Sequence, residues 1–312
     1  MAVIASILIP AHNAAAFLDG ALHSALAQTC GTLEVIAVDD GSTDGTHAAL
    51  LGWAARDCRV VVHRHATCRG VAAARNTAIA QASGRWLALL DADDAMLPGR
   101  LEHLVARAEA VGADLLADGL RERDFATGAD RGESFPAATL ALPGPLTLAE
   151  MIRRDQPEQP GHAKLGYLKP LIRHDFLRGS GVRYREGLRV GEDLLFYFEC
   201  VAAGGRFHLT PGAGYLYSVR EGSASAAAGA PALSKANRRM LRLAGRTGDQ
   251  VLVGLLRQRQ RVIDSDGFDL AIGQRRPLDA LRHARHAAPD RMRSRLVEAV
   301  RRGVGKVSKA GE

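Results

Sequence analysis

Three carboxylates follow a short apolar run, residues 86–90, within four positions: Asp91, Asp93 and Asp94. If the strand continues through them, Asp91 and Asp93 point to the same side, with their Cα atoms about 6.6 Å apart. Two unit charges at that distance repel by roughly 2.5 kcal/mol at an effective dielectric of about 20. Partial burial therefore favours a bound cation, and carboxylate oxygens suit Mg²⁺ or Mn²⁺. The alternative is that Asp94 caps the next helix, whose first turn contains Pro98.

Two further acidic segments have ordinary structural interpretations. The sequence VDDGSTDGT, residues 38–46, is typical of a tight turn that leads into a helix. Its functional alternative is that Asp39 or Asp40 accepts a hydrogen bond from the imide N–H of a pyrimidine base. Glu192 and Asp193 begin a predicted helix that ends at residues 204–205. Their two possible roles are to cap that helix or to take part in catalysis.

The elements that position these carboxylates alternate between strand and helix from Val3 to Leu120. Such alternation predicts an α/β fold with a mostly parallel sheet covered by helices on both faces. Ligands of such sheets bind beyond the carboxyl ends of the strands, so PAHN, DDGSTDG and DADD are expected on one rim. The stretch from about residue 121 to 160 is rich in Gly and Pro and is expected to be irregular.

Five segments in order, ILIPAHN, VDDGSTDGT, GVAAARNTAIAQASGRWLALLDADD, LPGRLE and GEDLLF, resemble the family 2 glycosyltransferases. The resemblance covers roughly residues 3–225 and implies the GT-A fold. It also implies an inverting, metal-dependent enzyme that uses a nucleoside-diphosphate sugar, with a UDP-sugar favoured. We therefore expect a catalytic domain over residues 1–225 and a basic helical extension over residues 226–312. The end of the catalytic region resembles bacterial exopolysaccharide enzymes of the succinoglycan type.

The resemblance also implies roles for residues on the donor side. Asp39 would contact the base of the nucleotide, and the backbone at Pro10 and Ala11 would close over the nucleoside. Arg75 would help to hold the nucleotide. Arg220 would approach the diphosphate.

Three acidic positions complete the implied site. Asp91 would bind the ribose side of the donor, and Asp93 would bind Mg²⁺ or Mn²⁺, with Asp91 as the second candidate ligand. Asp193, paired with Glu192, would be the catalytic base. One base and no carboxylate nucleophile give single displacement with inversion.

Two residues depart from the commonest family pattern. His12 stands where tyrosine is frequent, and Ser218 stands where the last motif often has a basic residue, which puts the diphosphate contact in doubt. The acceptor would be a hydroxyl of a glycan or of a lipid-linked oligosaccharide. The main rival is a non-catalytic sugar-nucleotide-binding or assembly subunit with the same fold. A dinucleotide oxidoreductase is disfavoured because no G-x-G-x-x-G follows the first strand.

The composition and charge of the chain limit the classes of partner that it is expected to bind. The chain has 312 residues and a net charge of +7, and residues 251–312 hold 14 Lys and Arg against 7 Asp and Glu. The remaining 250 residues are balanced, which argues against nucleic acid as a partner. Four scattered cysteines and no long apolar segment predict a cytoplasmic protein with reduced thiols. The C-terminal part of the chain has two possible roles. It could form a basic amphipathic helix that binds anionic lipid at the inner face of the membrane, or a solvated helix. Seven arginines are involved: Arg282, Arg285, Arg291, Arg293, Arg295, Arg301 and Arg302.

Overall fold

The computed structural model describes residues 2–156, 163–188, 190–220 and 230–273. The chain divides into two compact units, Met1–Ala224 and Ser225–Glu312. The boundary predicted at residues 225 and 226 and the seven tail arginines lie outside the described residues.

A seven-stranded sheet forms the centre of the first unit, and it is mostly parallel, as predicted. Its strand order is β10-β6-β9-β4-β1-β2-β3. Strand β9 alone is antiparallel to its neighbours in this sheet of the described chain. Every residue of β1 is buried, so both faces of the sheet are covered at this central strand, as expected for a mostly parallel sheet. The strands are β1 Ala5–Ala11, β2 Leu33–Asp39, β3 Val60–Arg64, β4 Trp86–Leu89, β6 Leu115–Ala117, β9 Leu171–Arg173 and β10 Phe207–Leu209.

The helices of the first unit differ in burial: α1 buries one face, as the apolar spacing predicts, whereas α8 is buried on all sides from Asp193 to Cys200. In α1 the buried residues Leu18, Ala21, Leu22 and Ala25 recur every three or four positions. A 3₁₀ turn at Leu165–Tyr167 precedes β9. The helices are α1 Leu18–Leu26, α2 Thr46–Arg56, α3 Val71–Gln81, α4 Arg100–Val111, α5 Ala137–Leu140, α6 Leu148–Arg154, α7 His174–Ser180 and α8 Glu192–Ala202.

A second, four-stranded sheet has the order β5-β11-β7-β8. The prediction that the stretch from about residue 121 to 160 is irregular is therefore wrong in part, because this stretch contains most of β7, all of β8, and helices α5 and α6. Strand β7 is difficult to recognise since its sequence, LRERD, is mostly charged. The strands are β5 Ala95–Met96, β7 Leu120–Asp124, β8 Asp130–Glu133 and β11 Tyr215–Val219.

The second unit contains a pair of helices, α9 Ala230–Thr247 and α10 Gln250–Gly273. A buried amide joins them: Asn237 Nδ2 donates to the carbonyl of Leu256 at 3.0 Å and to Gln260 Oε1 at 2.9 Å. Among the helices that the structure describes, none combines the length and the apolar character that a bilayer crossing requires.

Candidate active site

The three polar segments predicted to share a rim do follow the carboxyl ends of neighbouring strands. β1 ends at Ala11, which is in register with Asp39 at the end of β2. β4 lies on the other side of β1 and ends at Leu89. Asp91 follows β4 in a tight turn, closed by a 3.0 Å hydrogen bond from the Asp94 N–H to the Asp91 carbonyl. Parallel pairing of β1 with β2 and with β4 therefore brings segments about 30 and 80 residues apart in sequence to one edge of the sheet.

Arg75 connects two of the predicted site carboxylates. It projects from α3, and its guanidinium donates to Asp91 Oδ1 at 2.8 Å and to Asp193 Oδ1 at 2.6 Å. It also lies 3.3 Å from Glu192 Oε1. Arg75 is buried, and its guanidinium lies 5.2 Å from the ring centre of Tyr184. Arg75, Asp91, Glu192 and Asp193, which the sequence places up to 118 residues apart, thus form one cluster.

A second buried cation, Lys169, completes this cluster. Its Nζ lies 3.0 Å from Asp193 Oδ2 and 3.2 Å from Asp91 Oδ2. Burial lowers the pKa of Lys169, but the carboxylates of Asp193 and Asp91 outweigh it, so the pKa lies well above its ordinary value. The same balance acts on Asp91: burial raises its pKa, and Lys169 and Arg75 bring it well below its usual range. Two cations and two carboxylates therefore compensate each other's charge.

Lys169 was missed by sequence reasoning. A lysine inside LGYLKPLIR is the available signal, since an isolated charge in an apolar stretch needs a partner when it is buried. The hydroxyl of Tyr197 donates to the carbonyl of Leu168 at 2.9 Å and so fixes the backbone next to Lys169. Lys169 is held in place from α8, the same helix that carries Asp193.

Glu192 and Asp193 begin helix α8, as predicted. The preceding residue, Gly191, has φ of 78°, a conformation that glycine adopts without strain. Burial raises the pKa of Glu192 to about 7, and the Asp193 carboxylate raises it further against the opposing effect of Arg75. Two adjacent carboxyl groups thus differ in environment: Asp193 contacts two cations, whereas Glu192 contacts Arg75 at longer distance.

The predicted metal ligand Asp93 and the predicted diphosphate contact Arg220 form an ion pair. Arg220 Nε donates to Asp93 Oδ2 at 3.0 Å. The guanidinium also lies 4.8 Å from the ring centre of Phe17. Both charged side chains are partly exposed. The structure therefore brings Arg220, from the end of β11, directly to the acidic turn.

Asp94 has a structural role that differs from the predicted alternative. It does not cap a helix: α4 begins after Gly99, which has a left-handed conformation. Instead, Asp94 accepts hydrogen bonds from the Tyr215 hydroxyl at 2.7 Å and the Ser218 N–H at 2.8 Å. Burial, together with Asp91 and Asp93, raises the pKa of Asp94 to about 8. Asp94 thereby joins the acidic turn to β11, the strand that leads to Arg220.

The predicted base contact, Asp39, is fully buried at the end of β2. Its Oδ1 accepts the Ser42 N–H at 2.9 Å. Its Oδ2 lies 3.1 Å from Arg64 Nε and 3.4 Å from His47 Nδ1 but accepts no well-directed hydrogen bond from the part of the chain that the structure describes. An orphaned buried acceptor is costly, so this oxygen suits an N–H donor from a ligand. Pro10 and Ala11 lie beside it in β1, opposite Val38 and Asp39.

The donor set of the acidic turn fits a hard divalent cation. Asp91 and Asp93 both offer carboxylate oxygens with a quarter of each side chain exposed. Mg²⁺ and Mn²⁺ are bound through one or two carboxylates, with water and phosphate oxygens in the remaining positions. Asp93 is the more available ligand, because both oxygens of Asp91 already contact Arg75 and Lys169.

A mostly parallel sheet with an acidic rim at the carboxyl ends of its strands defines the GT-A class of fold. Residues 6–173 match the family model Glycosyl transferase family 2. The chain belongs to this family, which confirms the resemblance noted in the sequence.

One relative in sequence supports the family assignment, and two solved structures support the fold. The chain is 39% identical over 219 residues to succinoglycan biosynthesis protein ExoO of Rhizobium meliloti (strain 1021), covering 70% of this chain and 61% of ExoO. It therefore spans less than two thirds of that relative. Its fold is similar to S. aureus TarS 1–349 in complex with UDP-GlcNAc, with a TM-score of 0.71 at 20% identity over 90% of this chain and 79% of TarS. The mannosyltransferase PcManGT of Pyrobaculum calidifontis, in complex with GDP-Man and Mn²⁺, has a TM-score of 0.59 at 18% identity over 96% of this chain and 80% of that one.

Proposed function

We propose that this protein is a metal-dependent inverting glycosyltransferase of bacterial polysaccharide synthesis. It would move a sugar from a nucleoside diphosphate, with UDP favoured, to a hydroxyl of a glycan or lipid-linked oligosaccharide. One observation carries the proposal: Arg75 and Lys169 each contact both Asp91, on the proposed donor side, and Asp193, on the proposed acceptor side. This arrangement holds the two reacting sides of the site in a fixed relation.

The nucleotide would bind along the rim from Asp39 to Asp91. Oδ2 of Asp39, which lies near Arg64 and His47 without a well-directed hydrogen bond among the described residues, would accept the imide N–H of the base, and the backbone at Pro10 and Ala11 would close over the nucleoside. Asp91, kept ionised by Lys169 and Arg75, would accept from the ribose hydroxyls. The UDP-GlcNAc bound to TarS supports a UDP-sugar as the donor class.

Asp93, with Asp91 as the second candidate, would hold the divalent cation. When bound, that cation neutralises the charge that develops on the leaving diphosphate. The Mn²⁺ in PcManGT supports this requirement. Arg220 would release Asp93 and turn its guanidinium to the diphosphate oxygens, for which a planar donor group is suited.

Asp193 would act as the base on the acceptor hydroxyl. Asp193 is 6% exposed and its carboxylate is oriented by Arg75 and Lys169, so little reorganisation is needed during the reaction. Proton transfer from the hydroxyl would occur late, as the bond to the sugar forms and the hydroxyl becomes more acidic.

A thermal-shift screen tests the donor class directly. Nucleoside diphosphates and their sugars are added with Mn²⁺ or with a chelator, and the melting temperature is measured. We expect one nucleoside diphosphate class to raise the melting temperature with Mn²⁺ and much less with the chelator, because binding to the folded state alone stabilises it. An unchanged melting temperature with every nucleotide would overturn the proposal.

A further inference from the structure

A second group of possible metal ligands lies at the same sheet edge and takes no part in the proposed transfer. His12 follows β1, Asp40 follows β2, and Cys68 lies between β3 and α3. A ring nitrogen of His12, a carboxylate oxygen of Asp40 and the Cys68 sulfur all lie within 4.8 Å of one another. Nitrogen, oxygen and sulfur ligands from three separate segments thus meet at one point.

The backbone holds these three segments together. The Asp40 N–H donates to the Ala11 carbonyl at 2.8 Å, which joins the loops after β1 and β2. Gly41 has φ of 64°, and a Cβ added there would lie 2.4 Å from the carbonyl carbon of Thr67. Only glycine permits this close approach, and the approach places Cys68 beside Asp40. The Cys68 thiol lies 3.3 Å from Asp40 Oδ2.

Hydrogen bonds orient two of the three ligands. His12 Nδ1 lies 2.8 Å from the Asp40 carbonyl oxygen. Because a carbonyl only accepts, Nδ1 carries the proton, and Nε2 has a lone pair that faces Asn13 Nδ2 at 3.3 Å and that a metal ion could take in place of this exposed contact. On Asp40, Oδ1 lies 2.6 Å from His65 Nδ1 and accepts the Arg69 N–H at 2.9 Å. Partners of this kind fix the ligands of protein metal sites.

The ligand set favours a softer ion than Mg²⁺. A zinc ion takes imidazole, carboxylate and thiolate ligands at about 2.0–2.3 Å, which places tetrahedral ligands roughly 3.3–3.8 Å apart. Cys68 Sγ and Asp40 Oδ2 are already 3.3 Å apart, whereas the three ligand atoms together are confined to within 4.8 Å of one another. His12 and Cys68 are exposed side chains, so rotation about their side-chain bonds can close the difference. The ion would replace the thiol proton, releasing one proton for each ion bound.

We propose that His12, Asp40 and Cys68 form a binding site for a zinc-like divalent ion, separate from the Asp91 and Asp93 turn, and that its occupancy opposes donor binding. The second half of the proposal rests on the proposed function. His12 is adjacent to Ala11 in sequence, and Asp40 is adjacent to Asp39. An ion bound to His12, after β1, and to Asp40, after β2, would therefore restrain the backbone that is proposed to close over the nucleoside.

Cobalt(II) is the probe for the site, because a thiolate ligand gives it a near-ultraviolet charge-transfer band. The wild type, Cys68→Ser and a matched control, Cys58→Ser, are titrated with cobalt(II). Cys58, like Cys68, is an exposed cysteine, and it lies two residues beyond the end of α2. We expect the band at one ion per chain in the wild type and in the control, and its loss in Cys68→Ser. A band that persists in Cys68→Ser, or no band in the wild type, overturns the site.

Alkylation of the wild type tests the same site without a variant. Iodoacetamide labelling is followed by peptide mass spectrometry with and without Zn²⁺. We expect Zn²⁺ to slow labelling of Cys68 at least tenfold and to leave Cys58 unchanged. Equal labelling of Cys68 in both conditions contradicts the proposal even if Cys68→Ser fails to fold.

Donor kinetics test whether an ion bound at His12, Asp40 and Cys68 opposes donor binding. With Mn²⁺ in excess, added Zn²⁺ should raise the donor KM several-fold in the wild type and in Cys58→Ser, and less in Cys68→Ser. Competition of Zn²⁺ with Mn²⁺ at Asp93 would act equally on all three proteins, so it cancels in the comparison. An equal effect in all three overturns the coupling. A cobalt band in a protein without transferase activity would instead retain the site and reject the proposed function.

Discussion

Lys169 places its ammonium group 3.0 Å from Oδ2 of Asp193, in an ion pair that is buried on both sides. The same nitrogen lies 3.2 Å from Asp91. Replacing this cation leaves two carboxylates with Arg75 as their shared positive partner among the contacts described. The pair therefore links the stability of the first unit to the geometry of the proposed base.

Lys169→Met should destabilise the protein by about 3–5 kcal/mol, the usual cost of removing one partner of a buried ion pair. Urea unfolding measures this change. In the background of Asp193→Asn the same substitution should cost less, because one of the two carboxylates that need the cation is already neutral. The exposed Lys164, changed to Met, is the matched control. Equal costs in both backgrounds would show that Lys169 and Asp193 are not coupled.

Asp193→Asn should lower kcat by roughly 10²–10⁴-fold, the contribution of a positioned base, with donor affinity close to wild type. Glu192→Gln keeps a hydrogen-bonding group near Arg75 and should lower kcat less than tenfold. Steady-state kinetics and calorimetry of nucleotide binding give the two quantities. The reverse order of effects would assign the base to Glu192.

Arg220→Gln should tighten the binding of Mn²⁺ to the nucleotide-free protein up to about fivefold, because a partly exposed ion pair contributes at most about 1 kcal/mol and Mn²⁺ must break it to reach Asp93. The same variant should raise the donor KM if Arg220 reaches the diphosphate. Electron paramagnetic resonance of free Mn²⁺ measures the first effect. Arg64→Gln, at an arginine that contacts Asp39 instead, is the control. Weaker Mn²⁺ binding in Arg220→Gln would contradict this account of the ion pair.

Asp94→Asn should flatten the pH dependence of stability. Asp94 has a pKa of about 8 in the folded protein and an ordinary value of 3.8. Between these two values the folded state holds a proton that the unfolded state has released, so the free energy of unfolding falls as pH rises. Asparagine removes this contribution, whereas Glu192, with a pKa of about 7, retains its own.

Chemical denaturation at several pH values from 5 to 8, in the presence of a chelator, measures the effect of Asp94→Asn. Asp175→Asn is the matched control, because Arg178 lowers the pKa of this exposed carboxyl further from that window. An identical decline of stability with pH in the wild type and Asp94→Asn would contradict the raised pKa of Asp94.

The rim could be predicted from the sequence because its position follows from the topology of a parallel sheet. Parallel strands end at one edge, so the segments after β1, β2 and β4 had to meet there. Asp91 and Asp193 were predicted as site residues from the family resemblance, and their side chains both contact Arg75. Lys169 could not be found in this way, because its burial is explained only by two carboxylates that lie distant in sequence.

Asp94 shows a second limit of sequence reasoning. Its local context, with Pro98 four residues later, is that of a helix cap. The hydroxyl that it binds belongs to Tyr215, 121 residues away. A strand of two residues, β5, gave no periodicity from which the second sheet could be predicted. Long-range pairing therefore decided the role of Asp94.

Calorimetry of UDP binding, with and without Mn²⁺, tests the central claim that the acidic turn binds an activated sugar through a cation. The wild type, Asp93→Asn and the control Asp57→Asn, at a carboxylate that pairs with Arg59, are compared. The account predicts that Mn²⁺ tightens UDP binding at least tenfold in the wild type and in the control, and leaves it unchanged in Asp93→Asn. Equal enhancement by Mn²⁺ in Asp93→Asn, or none in the wild type, would contradict the account.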